Sequence, residues 1–268
     1  MRLFRTLSML LVGALVAALV SATSAGAQES PRIHLLHGIP DTDVDVYVGG
    51  SPVFEGFAFG DAQDLSAFAG TTLTDIEVRL AGTDTVAISV PSLALPSSGN
   101  YTAIAHLDAE GTPTISVFEN DTSTIAAGEG RLVVRHTAAA PEVDIRAGGA
   151  VAFAAVPNGA EGAVDLAAGT VTADVVPAGA DEPVVIGPAD LPIAEGSSLI
   201  VYAVGSLEAE TLTVLTESID GLGSAPAAVN TGNSPVSDSG SGLVYAVAAA
   251  LIAATAAFGV FRFRRDTI

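Results

Sequence analysis

Arg32–Gly50 reads RIHLLHGIPDTDVDVYVGG, and a close variant returns at Arg131–Gly149 as RLVVRHTAAAPEVDIRAGG. The second stretch follows the first by 99 positions. Six residue pairs are identical without a gap: Arg32/Arg131, His37/His136, Val44/Val143, Asp45/Asp144, Gly49/Gly148 and Gly50/Gly149. The same offset continues through Phe54/Phe153, Gly60/Gly159, Gly70/Gly169, Thr71/Thr170 and Asp75/Asp174. Within the stretch, Val44, Val46 and Val48 fall on one face of an extended chain, and Asp43, Asp45 and Tyr47 on the other. The Gly pair then supplies the backbone freedom of a tight hairpin turn. An amphipathic strand and its turn, stated twice, predict two copies of one β-domain.

Short strand-like runs continue outward from this stretch. In the first copy they are Pro52–Phe59, Ile76–Leu80, Thr85–Val90, Tyr101–Leu107 and Thr114–Glu119, separated by Gly- and Pro-containing breakers. The second copy offers Arg131–His136, Val143–Arg146, Ala150–Val156, Val171–Val176, Val184–Ile186, Ser198–Val204 and Thr211–Thr216. No segment of residues 28–242 shows a long helical period. Seven short strands in roughly 95 residues are the pattern of a β-sandwich. The expected fold is all-β: two tandem sandwiches of immunoglobulin-like or transthyretin-like kind, over residues 28–125 and 126–223. Two residues drop out of the second copy, placed after Asp174 because Ala81-Gly82 aligns with Ala178-Gly179. The join, Ile125–Gly130, is short enough to hold the copies close together.

The pattern of Arg32 and His37 in a strand, Pro40 in a loop, Val44–Gly50, and then Ala69-Gly70-Thr71 resembles a bacterial and archaeal surface domain. That domain is catalogued as domain-of-unknown-function family forty-three ninety-seven. The resemblance covers about residues 30–220. It is closer in the first copy; in the second, Arg146 replaces Tyr47 and Ala139 replaces Pro40. It implies a secreted or cell-envelope β-domain, and brings no activity and no catalytic residues.

The two ends predict where the chain resides. Arg2 and Arg5, the apolar Leu7–Val20 and the small-residue Ala25-Gly26-Ala27 form a secretory signal peptide over residues 1–27. Leu243–Phe261 is uncharged and apolar, and at ~1.5 Å per residue is long enough to cross a bilayer as a helix. Arg262, Arg264 and Arg265 follow it, placing the tail 262–268 in the cytoplasm. Ser224–Gly242, rich in Ser, Gly, Ala and Pro, reads as a flexible tether. The expected topology is a single-pass membrane protein with residues 28–242 outside. Val229-Asn230-Thr231-Gly232 partly resembles a sortase sorting signal, so cell-wall attachment is the alternative to retention in the membrane.

Composition narrows the chemistry. Residues 28–242 hold 5 Arg, no Lys and 29 acids, a net charge of −24 that repels nucleic acid. The absence of Cys removes disulfides and thiolate metal sites. No nucleophile-elbow, zincin or phosphate-loop motif occurs. The expectation is therefore a non-enzymatic surface protein without a cofactor, serving adhesion, envelope structure or binding of an envelope protein or glycan. Two alternatives stay open. Asp41, Asp43 and Asp45 lie at strand spacing and offer carboxylates on one side, the oxygen ligands that Ca²⁺ takes. Set against this, the same acids serve equally to hold solvent or cap the preceding loop. An extracellular hydrolase of unrecognised type is the other alternative. The matched His37 and His136 read as structural, hydrogen-bonded to the Pro loop or to the paired Asp, and Arg32 and Arg131 as ion-paired across the sheet.

Overall fold

The alternation of Val44–Val48 is met by a strand that buries Val44 and Val46 in a core. The computed structural model describes residues 30–224. Its N-terminal half contains β1 (Arg32–His37), β2 (Val44–Val48), β3 (Ser51–Phe57), β4 (Ala62–Asp64), a 3-10 turn (Ser66–Phe68), β5 (Thr72–Leu80), β6 (Val86–Ala94), β7 (Asn100–Leu107) and β8 (Pro113–Glu119). Its C-terminal half contains β9 (Glu129–His136), β10 (Val143–Ala147), β11 (Ala150–Val156), β12 (Ala160–Ala167), β13 (Gly169–Pro177), β14 (Ile186–Ile193), β15 (Ser198–Val204) and β16 (Thr213–Ile219). Among the described residues no helix is long and apolar enough to cross a membrane. The expected signal peptide, membrane span, basic tail and all of the tether but Ser224 lie outside the described residues.

Among the described residues the fold is all-β, with four four-stranded sheets. In the N-terminal half the strand orders are β4-β1-β7-β8 and β3-β2-β5-β6; in the C-terminal half they are β12-β9-β15-β16 and β11-β10-β13-β14. The second pair of orders is the first with every strand number raised by eight. β1 pairs parallel with β7, and β9 parallel with β15; the other ladders are antiparallel. Each half thus has eight strands rather than the expected seven. The extra one is β4 or β12, whose sequences AQD and AEGAVDLA hold few large apolar residues.

The ladders relocate the two-residue difference between the halves. His34 opposes Asp64 as Val133 opposes Ala163, so the offset is still 99 there. Val44 opposes Leu80 as Val143 opposes Pro177, so it has fallen to 97 by β5 and β13. The loss therefore precedes β13 and does not follow Asp174. Seven residues, 65–71, lie between Asp64 and Thr72, whereas five, 164–168, lie between their counterparts Ala163 and Gly169, and the first four of these still belong to β12. Gly169 takes the place of Thr72, and Asp174 that of Glu77. The identities Gly70/Gly169, Thr71/Thr170 and Asp75/Asp174 are accordingly not equivalent in space.

Three apolar cores separate the four sheets. Ile33, Leu35, Val44, Val46, Val78 and Ile88 belong to the core between the two N-terminal sheets. Leu132, Val134, Val143, Ile145, Val175 and Val201 do the same in the C-terminal half. The third core joins the halves: Leu36, Ile104 and Phe118 meet Val133, Ile200, Tyr202 and Val204. The β4-β1-β7-β8 and β12-β9-β15-β16 sheets are therefore inner layers, covered on both faces. This is why β9 and β15 carry apolar residues at successive positions (Leu132-Val133-Val134, Leu199-Ile200-Val201) instead of alternating. Each such buried side chain contributes about 1.5–3 kcal/mol relative to exposure.

Candidate functional site

The acidic strand residue with the most suggestive position, Asp45, holds backbone. Its Oδ1 accepts the Gly56 N–H at 2.8 Å and its Oδ2 the Gly82 N–H at 2.9 Å. Gly56 lies in β3, whose register with β2 shifts near this point, and Gly82 lies in the turn after β5. One carboxylate thus ties an irregular edge strand and a turn to β2. Asp144 repeats the arrangement on Ala155, at 2.7 Å, and Gly179, at 2.9 Å. The two amides hold the Asp45 carboxyl below the usual carboxylate range, Gly82 more than Gly56; for Asp144 the order is Ala155, then Gly179. Asp41 and Asp43 are exposed on the loop before β2, and Asp41 has a left-handed φ of 54°. The structure does not gather these three carboxylates about one point. Among the described residues, no group of three or more His, Asp or Glu side chains is placed to hold a metal ion.

His37 and His136 close the loop that follows their strands. His37 Nε2–H donates to the Thr42 carbonyl at 2.7 Å, and His136 Nε2–H to the Pro141 carbonyl at 3.0 Å. Because a carbonyl only accepts, both imidazoles carry the proton on Nε2. His37 also stacks on Phe57, with ring centroids 5.5 Å apart. Burial pushes both imidazoles below the ordinary histidine value, so both sit neutral. Of the two partners the sequence offers, the loop and the paired Asp, each histidine takes the loop carbonyl. His106 is buried as well, between the Leu107 carbonyl and Ser116 Oγ.

A further polar cluster, unforeseen in the sequence, sits between the inner sheets. Arg135 on β9 is 1 % exposed. Its Nε donates to Glu161 Oε2 at 2.7 Å, its Nη1 to Tyr202 Oη at 2.7 Å and its Nη2 to Asn120 Oδ1 at 2.8 Å. Glu161 and Tyr202 are its direct cross-strand neighbours on β12 and β15, whereas Asn120 follows β8 in the other half. The guanidinium also lies 4.4 Å from the Phe118 ring centroid, over its face. Tyr202 Oη donates to Glu217 Oε2 at 2.5 Å, and Thr102 Oγ1 donates to the same oxygen at 3.1 Å. Asn120 Nδ2 completes the circuit on Thr102 Oγ1 and Asn100 Oδ1. Burial, and then the Glu217 charge, push the Tyr202 phenol well above its usual range. The signal for this cluster was Arg135 and Tyr202 standing within strands that are apolar on both faces.

The network opens into a polar cleft of about 220 Å³ formed jointly by the halves, with Arg32, His34 and Asn100 on one side and Glu217 and Asp220 on the other. A second hollow, of about 300 Å³ and also lined by Arg32, Asn100 and Asp220, lies where the chain enters at Ser30 and leaves at Leu222. His34 Nδ1 is 3.8 Å from Glu217 Oε1. Arg131, the counterpart of Arg32, pairs with Asp165 at 2.8 Å and Asp121 at 2.9 Å. The ion pair expected across the sheet thus exists for Arg131. Arg32 is exposed at the cleft, and its side chain has no ion pair among the described residues. The cleft offers a guanidinium, two carboxylates, amides and hydroxyls, a set suited to hydrogen-bonding a polar ligand.

Comparison with known families bears on this framework. Residues 31–146 match the family model of a domain of unknown function, DUF4397. The DUF4397 match takes in β1 through most of β10, including Arg32, His37, Asp45, Asn120, Arg135 and His136. It therefore spans the N-terminal half and crosses the join. No curated protein matches the chain.

Proposed function

We propose that this chain is a non-enzymatic cell-surface binding protein, in which two copies of the DUF4397 domain form one block outside a membrane span. A signal peptide exports residues 28–242, and Leu243–Phe261 retains them at the membrane. The contact with a polar ligand or partner of the cell envelope is the cleft between the halves. The observation that carries this reading is the contrast between Arg131 and Arg32. At equivalent strand positions, one guanidinium is consumed by Asp165 and Asp121, while the other stands exposed at a two-sided polar recess. The strand acid and loop histidine in each half meanwhile hold backbone, which favours a binding scaffold over a hydrolase.

The test has two arms. In bacterial cells expressing the full chain with a C-terminal tag, external protease should digest residues 28–242 and spare the tag. A chain wholly protected from external protease would overturn the topology. Full-length protein in lipid nanodiscs should co-sediment with cell envelopes of its source. Arg32→Ala should lower the bound fraction several-fold, and Arg146→Ala, on the outer sheet, should leave it unchanged. Equal binding by both variants would remove the cleft from the proposal.

A further inference from the structure

The two halves share a strand order and differ inside. Between the N-terminal sheets lies a cavity of about 270 Å³, whereas the apolar hollow at the corresponding C-terminal core is about 40 Å³. Every residue lining the larger cavity is apolar. Leu35, Ala103 and Ile115 close it from the inner sheet, Val46 and Val78 from the outer sheet, and Phe68 from the 3-10 turn.

The cause is the two-residue insertion located above. In the C-terminal half, β12 runs antiparallel to β9 from Ala160 to Ala167, and Val164 and Leu166 pack on the core. β12 and β11 approach one another on that side of the sandwich. Gly162 leaves the Phe153 ring room to lie against β12, since a Cβ there would run into the ring. In the N-terminal half, pairing with β1 stops at Asp64, and the longer connection coils into the 3-10 turn. Gln63 occupies the place of Gly162, and β1–β7 pairing puts Ala103 where β9–β15 pairing puts Val201. Edge strand β3 and the 3-10 turn consequently flank an opening, with Val53 and Phe68 both exposed among the lining residues.

We propose that this cavity binds a small uncharged aliphatic or monocyclic molecule. Protein interiors are close-packed, and apolar voids of ~150 Å³ stay dry and take up benzene-sized guests. By that scale a cavity of this volume accommodates a guest of about eight to ten carbons. Its lining has no side chain to answer a polar head inside. The edge strands beside the opening carry Glu55 within β3 and Asp64 at the end of β4, with Asp61 just before β4, so an anionic head at the mouth is repelled. The ligand is thus neutral, it enters between β3 and the 3-10 turn, and this site is separate from the polar cleft.

The test is photoaffinity labelling of the full-length chain in nanodiscs with a ten-carbon alcohol carrying a chain diazirine, followed by peptide mapping. Label within the membrane span reports lipid partitioning and serves as the internal reference. Relative to it, label should concentrate on β2, β5 and the 3-10 turn and fall at least tenfold with excess 1-decanol. Ala103→Leu, which fills the cavity, should abolish it. Should that variant lose the native far-ultraviolet spectrum, Leu73→Phe, from β5 of the outer sheet, replaces it. Label confined to the membrane span, label equal in the two halves, or label indifferent to a folded cavity-filling variant would each overturn the proposal.

Discussion

Replacing Arg135 by Met would remove one charge from the seam and keep most of the side chain's volume. The guanidinium answers Glu161, Tyr202 and Asn120 and lies over Phe118. Glu161 is 36 % exposed and recovers water on losing its partner. Asn120 Oδ1 and the Tyr202 hydroxyl are buried and do not. A buried polar atom left unanswered costs about 1–3 kcal/mol, and a desolvated cation–π contact adds up to ~2 kcal/mol. Two such atoms and the ring contact together span about 2–8 kcal/mol, a range that brackets the usual cost of about 3–5 kcal/mol for removing one partner from a buried charged pair. For a body of this size, 1 kcal/mol moves the melting temperature by about 2–4 °C. Melting of residues 28–223, followed by circular dichroism, should therefore fall by roughly 6–20 °C. Arg135→Lys should fall in between, because an ammonium retains the charge without the three-way fork. Since the network crosses the seam, the variant's single transition should also broaden or divide as the halves uncouple. A shift under about 3 °C with an unchanged single transition would refute the assignment of Arg135 as the tie between the halves.

The buried histidines give a pH window. Burial lowers the folded pKa of His37, His106 and His136 beneath the unfolded value of 6.5. Their contribution is therefore complete above pH 6.5 and is lost as pH falls from there through the folded values. Melting temperature should drop on going from pH 7 to about pH 5, where most carboxylates remain ionised, and His37→Gln should flatten that slope. Asp45→Asn should speed amide exchange at Gly56 and Gly82 by about tenfold or more, as an amide oxygen replaces two carboxylate acceptors; unchanged exchange would deny Asp45 its structural part. Millimolar Ca²⁺ should leave the melting temperature of the wild type within 1 °C, since Asp45 is committed to backbone and Asp41 and Asp43 stand apart on the loop. A rise of several degrees would restore the acidic strand as a cation site, because a ligand at a hundredfold excess over Kd adds about 2.7 kcal/mol.

Strands whose outer face meets water were legible because period-two alternation survives in them: Val44 and Val46 point inward, and Tyr47 lies under Arg79 on the other side. The histidine clamp was legible because it is local, spanning five residues in each half. β12 is not legible because Val164 and Leu166 are its only large apolar residues and its alternation, AEGAVDLA, is muted by Ala and Gly. Nor is the seam, because its partners are distant: Thr102 meets Glu217 across 115 positions. The position of the two-residue gap is not legible because coincident Gly, Thr and Asp identities outweigh the ladder register, which the sequence does not contain. The cavity follows from a two-residue length difference and from Ala103 standing where its counterpart is Val201, and neither is conspicuous in a chain rich in Ala.

The order of synthesis gives the doubly covered inner sheets a temporal side. The face of β4-β1-β7-β8 that bears Leu36, Ile104 and Phe118 is covered in part by β9, made soon after β8, and otherwise by β15 and β16, whose last residue, Ile219, comes 100 residues after β8 ends at Glu119. At ~5–20 residues per second, that face waits on the order of 5–20 s for its mate. Throughout that interval two nascent chains side by side hold like apolar faces, and either can be paired by its neighbour before its own second half arrives. Crowding of newly made chains is thus the condition under which this molecule is most prone to couple with itself.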